Sequence, residues 1–242
     1  MTKPRALDLF CGSGGATRGL QLAGFYVVGV DINKQKHYCG DEFYQGDALT
    51  FGFENCFPKF DFIWASPPCQ KFTALRFMPD AKKDHPNLIP ATRERLAASG
   101  IHYCIENVDA APLGGNLIML CGTMFGLRTA DGRAELRRHR LFETSFSIPL
   151  RPQCHHNGIT LGVYGGHIRD RCRRTAIGVN GNGTPQSGRR GRVREYFSIA
   201  QAREAMQIDW MPMSKLSQAI PPAYSQWIGE QALQILEAER AA

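Results

Sequence analysis

Arg5-Ala-Leu-Asp-Leu-Phe-Cys-Gly-Ser-Gly-Gly15 is a short apolar run that ends in three glycines. Ala16 to Ala23 follows with apolar residues at helical spacing, so the stretch reads as strand, glycine turn, helix. Glycines at such a turn permit tight bending and close approach of backbone to a ligand. Working outward, Phe25 to Asp31 is β-rich, Tyr44 to Asp47 offers a short third strand and Phe60 to Ala65 a fourth. Asn87 to Ala98 has helical character, and His102 to Glu106 makes a fifth strand. Strands separated by helices at this pace predict a doubly wound, mostly parallel α/β sheet. Ligands of such sheets collect beyond the carboxyl ends of the strands. Asp8 to Gly15, Asp31, Asp47, Ser66 to Gln70, Glu106 and Asn107 all fall there.

The glycine turn does not fit the dinucleotide pattern Gly-x-Gly-x-x-Gly. Counted from Gly12, Thr17 stands at its last position, which argues against a pyrophosphate cofactor. Asp31 is placed to accept hydrogen bonds from ribose hydroxyls, Asp47 from an exocyclic adenine amine, and Phe10 offers an aromatic surface. Together they favour an adenosine ligand without a diphosphate, a description that S-adenosylmethionine fits. The competing reading is a glycine turn that only packs helix on sheet.

Beyond Phe142 the strand and helix pattern weakens. Arg151 to Arg194 holds two prolines and nine glycines, with Leu161 to Tyr164 its one convincing strand, and reads as a small loop-rich inserted lobe. Helical periodicity resumes from Ser198 to Met206, with Ser198 as N-cap and Gln201 at the capping-box position. A last helix runs from about Pro222 to Glu239, proline near its start. The expected division is therefore a catalytic domain over 1–143, a lobe over 144–193 and a returning segment over 194–242.

The net charge is +7, but residues 133–194 contain thirteen arginines, no lysine and three acids, so that segment carries +10 and the remainder −3. An arginine-only segment suits a polyanion, because guanidinium forks match phosphates and guanine edges; a solvated basic face is the other reading. With 242 residues and 43% apolar composition the chain can bury a core, which excludes disordered and collagen-like classes. The longest mostly apolar stretch, Pro112 to Leu127, is short of a transmembrane span and broken by glycines. Met1 to Arg5 leads directly into a strand-like run, and eight scattered cysteines read as reduced thiols, so we expect a cytoplasmic protein with no membrane partner.

In Ser66-Pro-Pro-Cys-Gln70 two prolines stiffen a turn that presents Cys69 at the sheet edge, and Glu106 arrives after the neighbouring strand. These two, with Asp8 to Gly15, Glu106-Asn-Val108 and Arg138-His-Arg140, stand in the order and approximate spacing of the DNA (cytosine-5) methyltransferase family, which the chain resembles over Arg5 to Glu143 and again from about Arg194. Arg194 to Ser198 and Gln218 to Tyr224 look like that family's closing motifs, and the basic lobe occupies the place of its target-recognition region.

The resemblance implies a methyltransferase sheet (Rossmann-like), S-adenosylmethionine as cofactor with no metal required, and duplex DNA as partner of a monomer. A cognate restriction endonuclease stays open as a second partner. It implies that Cys69 adds to C6 of a flipped cytosine, that Glu106 holds the N3 and N4 edge, that Arg140 contacts O2, and that Arg138 supports the pocket and a nearby phosphate. Asp8, Phe10, Gly12, Gly14, Gly15, Asp31, Ile32, Asp47 and Pro68 would hold the cofactor. Gln70, Lys71, Arg151, Arg169, Arg171, Arg173, Arg174, Arg189, Arg190 and Arg192 would meet DNA. RNA cytosine methylation on the same fold, or an inactive DNA-binding regulator, are the alternatives.

Three features depart from the family pattern. Ser66-Pro67 replaces the usual Gly-Phe, Leu136 replaces the glutamine of Gln-x-Arg-x-Arg, and the recognition region is short, which suggests a short target site or low selectivity. Cys154, His155, His156, His167 and Cys172 could supply zinc to a lobe without a core of its own, but their spacing offers no close ligand pair beyond the adjacent histidines. Histidines contacting phosphate or filling space are the preferred reading there.

Overall fold

The computed structural model describes residues 3–72, 85–149, 153–156, 158–164, 167–170 and 197–241. Residues Met1–Leu120, His139–Arg151 and Ala219–Ala242 form one compact unit, and Cys121–Arg138 with Pro152–Gln218 form a second.

The first unit is built on β1 (Arg5–Leu9), α1 (Gly15–Ala23), β2 (Tyr26–Asp31), β3 (Glu42–Gln45), β4 (Phe62–Ala65), α2 (Ile89–Ser99), β5 (His102–Asn107), β6 (Asn116–Leu120), β8 (Arg140–Thr144) and α5 (Pro222–Ala241). The short β7 (Glu135–Leu136) belongs to the second unit. The seven strands run in the order β3-β2-β1-β4-β5-β8-β6. The first five are parallel, whereas β8 pairs antiparallel with both β5 and β6. The mostly parallel sheet expected from the sequence is present. Its antiparallel edge was not anticipated.

Parallel strands covered on both faces read as continuous apolar runs, as Val27 to Val30 of β2 and the whole of β4 do, while β1 is interrupted by Asp8. Alternate residues divide between two layers. Leu7, Leu9, Val28, Val30, Ile63 and Ile105 pack with Leu96 of α2. On the opposite face Trp64 stacks at 5.7 Å on Phe142, which meets Tyr224 of α5 edge-on at 6.1 Å. Helix α5 lies tightly on α1: a side chain at Gly19 would run into the Pro222 carbonyl oxygen and Ser225 Oγ. Ser225 Oγ donates to the Ala16 carbonyl at 2.8 Å.

The second unit holds β7, β9 (Thr160–Tyr164), β10 (His167–Asp170), α3 (Ile199–Met206) and α4 (Met213–Leu216), with a three-stranded sheet ordered β10-β9-β7. The capping box at α3 is formed as the sequence indicates: Gln201 N–H donates to Ser198 Oγ at 3.1 Å and Ser198 N–H to Gln201 Oε1 at 3.0 Å. Residues 121–138 and 197–218 lie in this second unit. Pairing is the physical reason: β7 lies parallel to β9, Leu136 opposite Leu161, and both side chains are fully buried there. The departure from the family's glutamine at Leu136 thus has a packing role. Among the described residues no helix is long and apolar enough to cross a membrane.

Candidate active site

All the residues brought together at one edge of the first unit follow from strand direction. The carboxyl ends of β1 to β5 share an edge, and antiparallel β8 begins there, at Arg140. The loop after β1 continues ladder-like pairing past the strand, with Cys11 N–H donating to the Val30 carbonyl and Ser66 N–H to that of Leu9, each at 3.1 Å. Phe10 then takes a left-handed backbone conformation, φ +59°, rare for an aromatic residue and costing of order 1 kcal/mol. Such strain persists only where its surroundings hold it, and the half-buried Phe10 ring packs on the core.

Gly12 also has positive φ, and a Cβ there would meet open space, so that backbone faces outward. Its N–H donates to Asp31 Oδ2 at 3.0 Å while Asn33 N–H donates to Oδ1 at 2.8 Å. The carboxylate is thereby fixed beside the loop and keeps lone pairs for a further donor. Gly14 and Gly15 are required by packing, because a Cβ on them would strike Cys39 Sγ and the Ile220 carbonyl oxygen respectively, each at 2.7 Å.

Next to Asp31, Ile32 is 66% exposed, an apolar surface at the mouth of an otherwise buried sheet. Asp47 lies two residues past β3 on an exposed turn whose Leu49 N–H it accepts at 2.9 Å. Open backbone at Gly12, an anchored carboxylate, an exposed aliphatic side chain and a second acid fit the sugar, base and amine of an adenosine-type ligand.

Asp8 is placed otherwise than expected for a group touching the cofactor. Its side chain is fully buried beneath the loop, where Oδ2 accepts from Thr17 Oγ1 at 2.5 Å and Oδ1 has no partner among the described residues. Burial foremost pushes its carboxyl up to about 7, against the lowering effect of the Thr17 hydrogen bond. Asp8 is a positioning residue that ties α1 to β1.

Pro67, Pro68 and Cys69 follow β4, with Phe72 N–H closing a short turn on the Cys69 carbonyl at 2.9 Å. Asn107 fixes this turn from β5: its Nδ2 donates to the Pro67 carbonyl at 2.9 Å. The sequence nominated Asn107 by position alone. Cys69 is half-buried against Ile89, Val108 and Ala111, while Gln70 and Lys71 are exposed beside it. Because Ala65 pairs with Ile105, Glu106 is level with Ser66 on the neighbouring strand, one strand spacing (about 4.8 Å) from the start of the Cys69 turn.

Glu106 and Arg140 are both nearly buried and form an ion pair, Arg140 Nε to Glu106 Oε1 at 3.1 Å, with Arg140 Nη1 also donating to the His139 carbonyl. This pair joins residues that sequence reading assigned to one pocket but did not connect. Paired, the two groups present a fixed set of donors and acceptors of the kind that reads the edge of a base.

Arg138 belongs to the second unit. It is fully buried there, and Nη1 donates to the Val163 carbonyl at 2.5 Å and Nη2 to that of Ser217 at 2.9 Å. Full burial corrects the expectation of a phosphate contact, and the two bonds hold β9 and the segment after α4. Arg169 lies on β10. Arg151, Arg171, Arg173, Arg174, Arg189, Arg190 and Arg192 lie outside the described residues.

A seven-stranded, mostly parallel sheet with a glycine loop and acids at its carboxyl edge is the S-adenosylmethionine-dependent methyltransferase fold. Within that fold, the family model described as C-5 cytosine-specific DNA methylase matches residues 5–99, which include both the glycine loop and Cys69. The Entamoeba histolytica methyltransferase EhMeth superposes with a TM-score of 0.58 at 12% identity, covering 98% of this chain and 99% of that one. S. pombe Dnmt2 methyltransferase gives 0.56 at 16% identity over 97% and 99%, and a Spodoptera frugiperda DNMT2 variant gives 0.54 at 13% over 95% and 99%. At these identities the likeness is one of fold. No curated protein matches the chain by sequence.

Proposed function

We propose that this protein methylates C5 of cytosine in duplex DNA, using S-adenosylmethionine. The observation that carries the reading is the Glu106–Arg140 ion pair at the strand edge that also carries the Cys69 turn, beside a loop suited to adenosine. Phe10, Gly12, Asp31, Ile32 and Asp47 would hold the cofactor, with Pro68 bordering it. When bound, S-adenosylmethionine supplies an electrophilic methyl group.

Cytosine C5 is a poor nucleophile until the ring becomes electron-rich. Attack of the Cys69 thiolate on C6 does this, forming a C6–S bond and leaving enamine-like character at C5. Glu106 holds the N3 and N4 edge as charge develops, and Arg140, already fixed by Glu106, binds O2. After methyl transfer, loss of the C5 proton and β-elimination release the thiolate and restore the aromatic ring. None of these contacts can form inside a stacked duplex, so the cytosine must be flipped, at a few kcal/mol of unstacking. Gln70 and Lys71, exposed next to the nucleophile, would border the opening.

The test is a labelled-methyl assay with duplex DNA and RNA in competition, comparing wild type with Cys69→Ala. DNA should be labelled at cytosine, and the variant should label nothing. Methylation that persists without the thiol refutes the mechanism. Preference for RNA keeps the chemistry and overturns the substrate, whereas no turnover on either would leave a DNA-binding regulator. Bisulfite sequencing of DNA from cells expressing the protein then reports position and context together, and a long, strictly read site would overturn the expectation of short or loose recognition. We further place the protein in the cytoplasm as a monomer, since one flipped base needs one active site.

A further inference from the structure

The structure assigns a zinc site to Cys121, His139, Cys154 and His156. The ligating atoms of these four side chains all lie within 4.8 Å of one another. His156 Nε2 is 3.3 Å from Cys121 Sγ and 3.0 Å from Cys154 Sγ. A tetrahedral zinc with ordinary Zn–S and Zn–N bonds sets sulfur–nitrogen separations of about 3.6 Å and sulfur–sulfur separations of about 3.8 Å. Side-chain adjustments of up to about 1 Å at the widest separation would bring the four atoms to those distances.

Three ligands belong to the second unit, and the fourth, His139, is peptide-bonded to that unit's Arg138. Two thiols and two imidazoles, with no carboxylate, are the donor set of a closed structural zinc site; calcium and magnesium require oxygen. The surroundings suit a thiolate-bound metal. Cys121 is fully buried, and the Thr123 hydroxyl is 3.5 Å from Cys154 Sγ, where it can donate to a thiolate and hold it in orientation.

Local chain geometry explains how the ligands meet. Cys121 opens the short helical turn Gly122–Phe125, and Gly122 lies so close to Leu136 that a Cβ there would clash. Leu136 in turn sets β7, three residues before His139. Cys154 and His156 stand two residues apart and are both half-buried, whereas His155 between them is exposed and is not among the four. The metal would therefore tie together three stretches of a lobe whose own sheet has three strands. It would also fix the backbone one residue before Arg140.

Zinc content of the wild-type protein, purified under reducing conditions without chelator, should be about one ion per chain. The Cys121→Ser, Cys154→Ser double variant should lose it, while His155→Ala and Cys56→Ser keep it. Cobalt added to the apo wild-type protein should give the intense visible bands of tetrahedral coordination with thiolate charge transfer, a readout independent of activity and of whether the double variant folds. Thr123→Val should weaken zinc binding about tenfold against a competing chelator. A wild-type protein that carries no zinc and takes up neither zinc nor cobalt overturns the site. So does stoichiometric zinc retained by the double variant, or a Cys121–Cys154 disulfide in protein kept reduced.

Discussion

Replacing Asp8 by asparagine should change how the stability of this protein depends on pH. The Asp8 carboxyl is fully buried, and its ordinary value of 3.8 is pushed up to about 7, chiefly by burial. The folded chain therefore keeps this proton to higher pH than the unfolded chain does. Stability from this group is fully present below about pH 4 and is lost as pH rises toward 7. A shift of about three units at about 1.4 kcal/mol each sets a ceiling of about 4 kcal/mol. Relaxation around the ionised group should reduce it to about 2–4 kcal/mol. Asparagine has nearly the same shape and no charge to bury, so it escapes the loss.

Urea unfolding of both ligand-free proteins, followed by far-ultraviolet circular dichroism from about pH 4 to about pH 8, gives the difference between them at each pH. All other titrating groups cancel in that difference. Asp8→Asn should gain on wild type by about 2–4 kcal/mol across the range, whatever its offset at the acid end. A difference that stays flat, or that moves against the variant as pH rises, refutes the picture of a neutral carboxyl beneath the glycine loop.

Two further substitutions probe other parts of the first unit. Arg140→Ala removes the partner of Glu106 and a donor to the base, so kcat/KM for methyl transfer should fall by about 10²–10³ with the fold intact by circular dichroism; a change of less than about threefold would remove Arg140 from the reacting site. Glu143, only 4% exposed in its side chain, accepts two short bonds from Arg93, at 2.6 and 2.7 Å, and one from Gly114 N–H at 2.8 Å. Glu143→Ala should cost about 2–3 kcal/mol, below the full value for a buried pair because Arg93 is one-third exposed; a denaturation midpoint unchanged from wild type would show that the pair contributes nothing.

The central strands of the parallel core were legible because they are rich in apolar residues buried on both faces, as in Phe62-Ile-Trp-Ala65. The strands β6 and β8 were not. Arg140-Leu-Phe-Glu-Thr144 mixes charge with apolar residues and becomes a strand only through its neighbours, with the buried Glu143 paired to Arg93, 50 residues earlier, and to Gly114 N–H. Cys69, Glu106, Asp31 and Asp47 could be read from their positions at strand ends, since strand direction alone carries them to one edge. Pairings across the chain could not. Arg140 with Glu106, and Arg138 with the Val163 and Ser217 carbonyls, depend on which unit each residue joins. The same holds for Cys121 and His139, whose approach to Cys154 and His156 is set by the packing of Leu136 on Gly122.

The clasp of α5 over α1 bears on how the chain is made. Ser225 bonds to the carbonyl of Ala16, 209 positions earlier, and Gly19 is shaped to receive that helix. During synthesis the first strands and α1 emerge with one face of the glycine-loop helix uncovered, and they stay so until everything through residue 222 has left the ribosome. The layer that steadies the cofactor loop is thus the last to close, a long-range contact that slows folding. Nascent chains stalled before α5 should hold the strands that carry Cys69 and Glu106 yet lack the rigid turn beside them, so the ability to bind an adenosine ligand would arrive late, with the final helix.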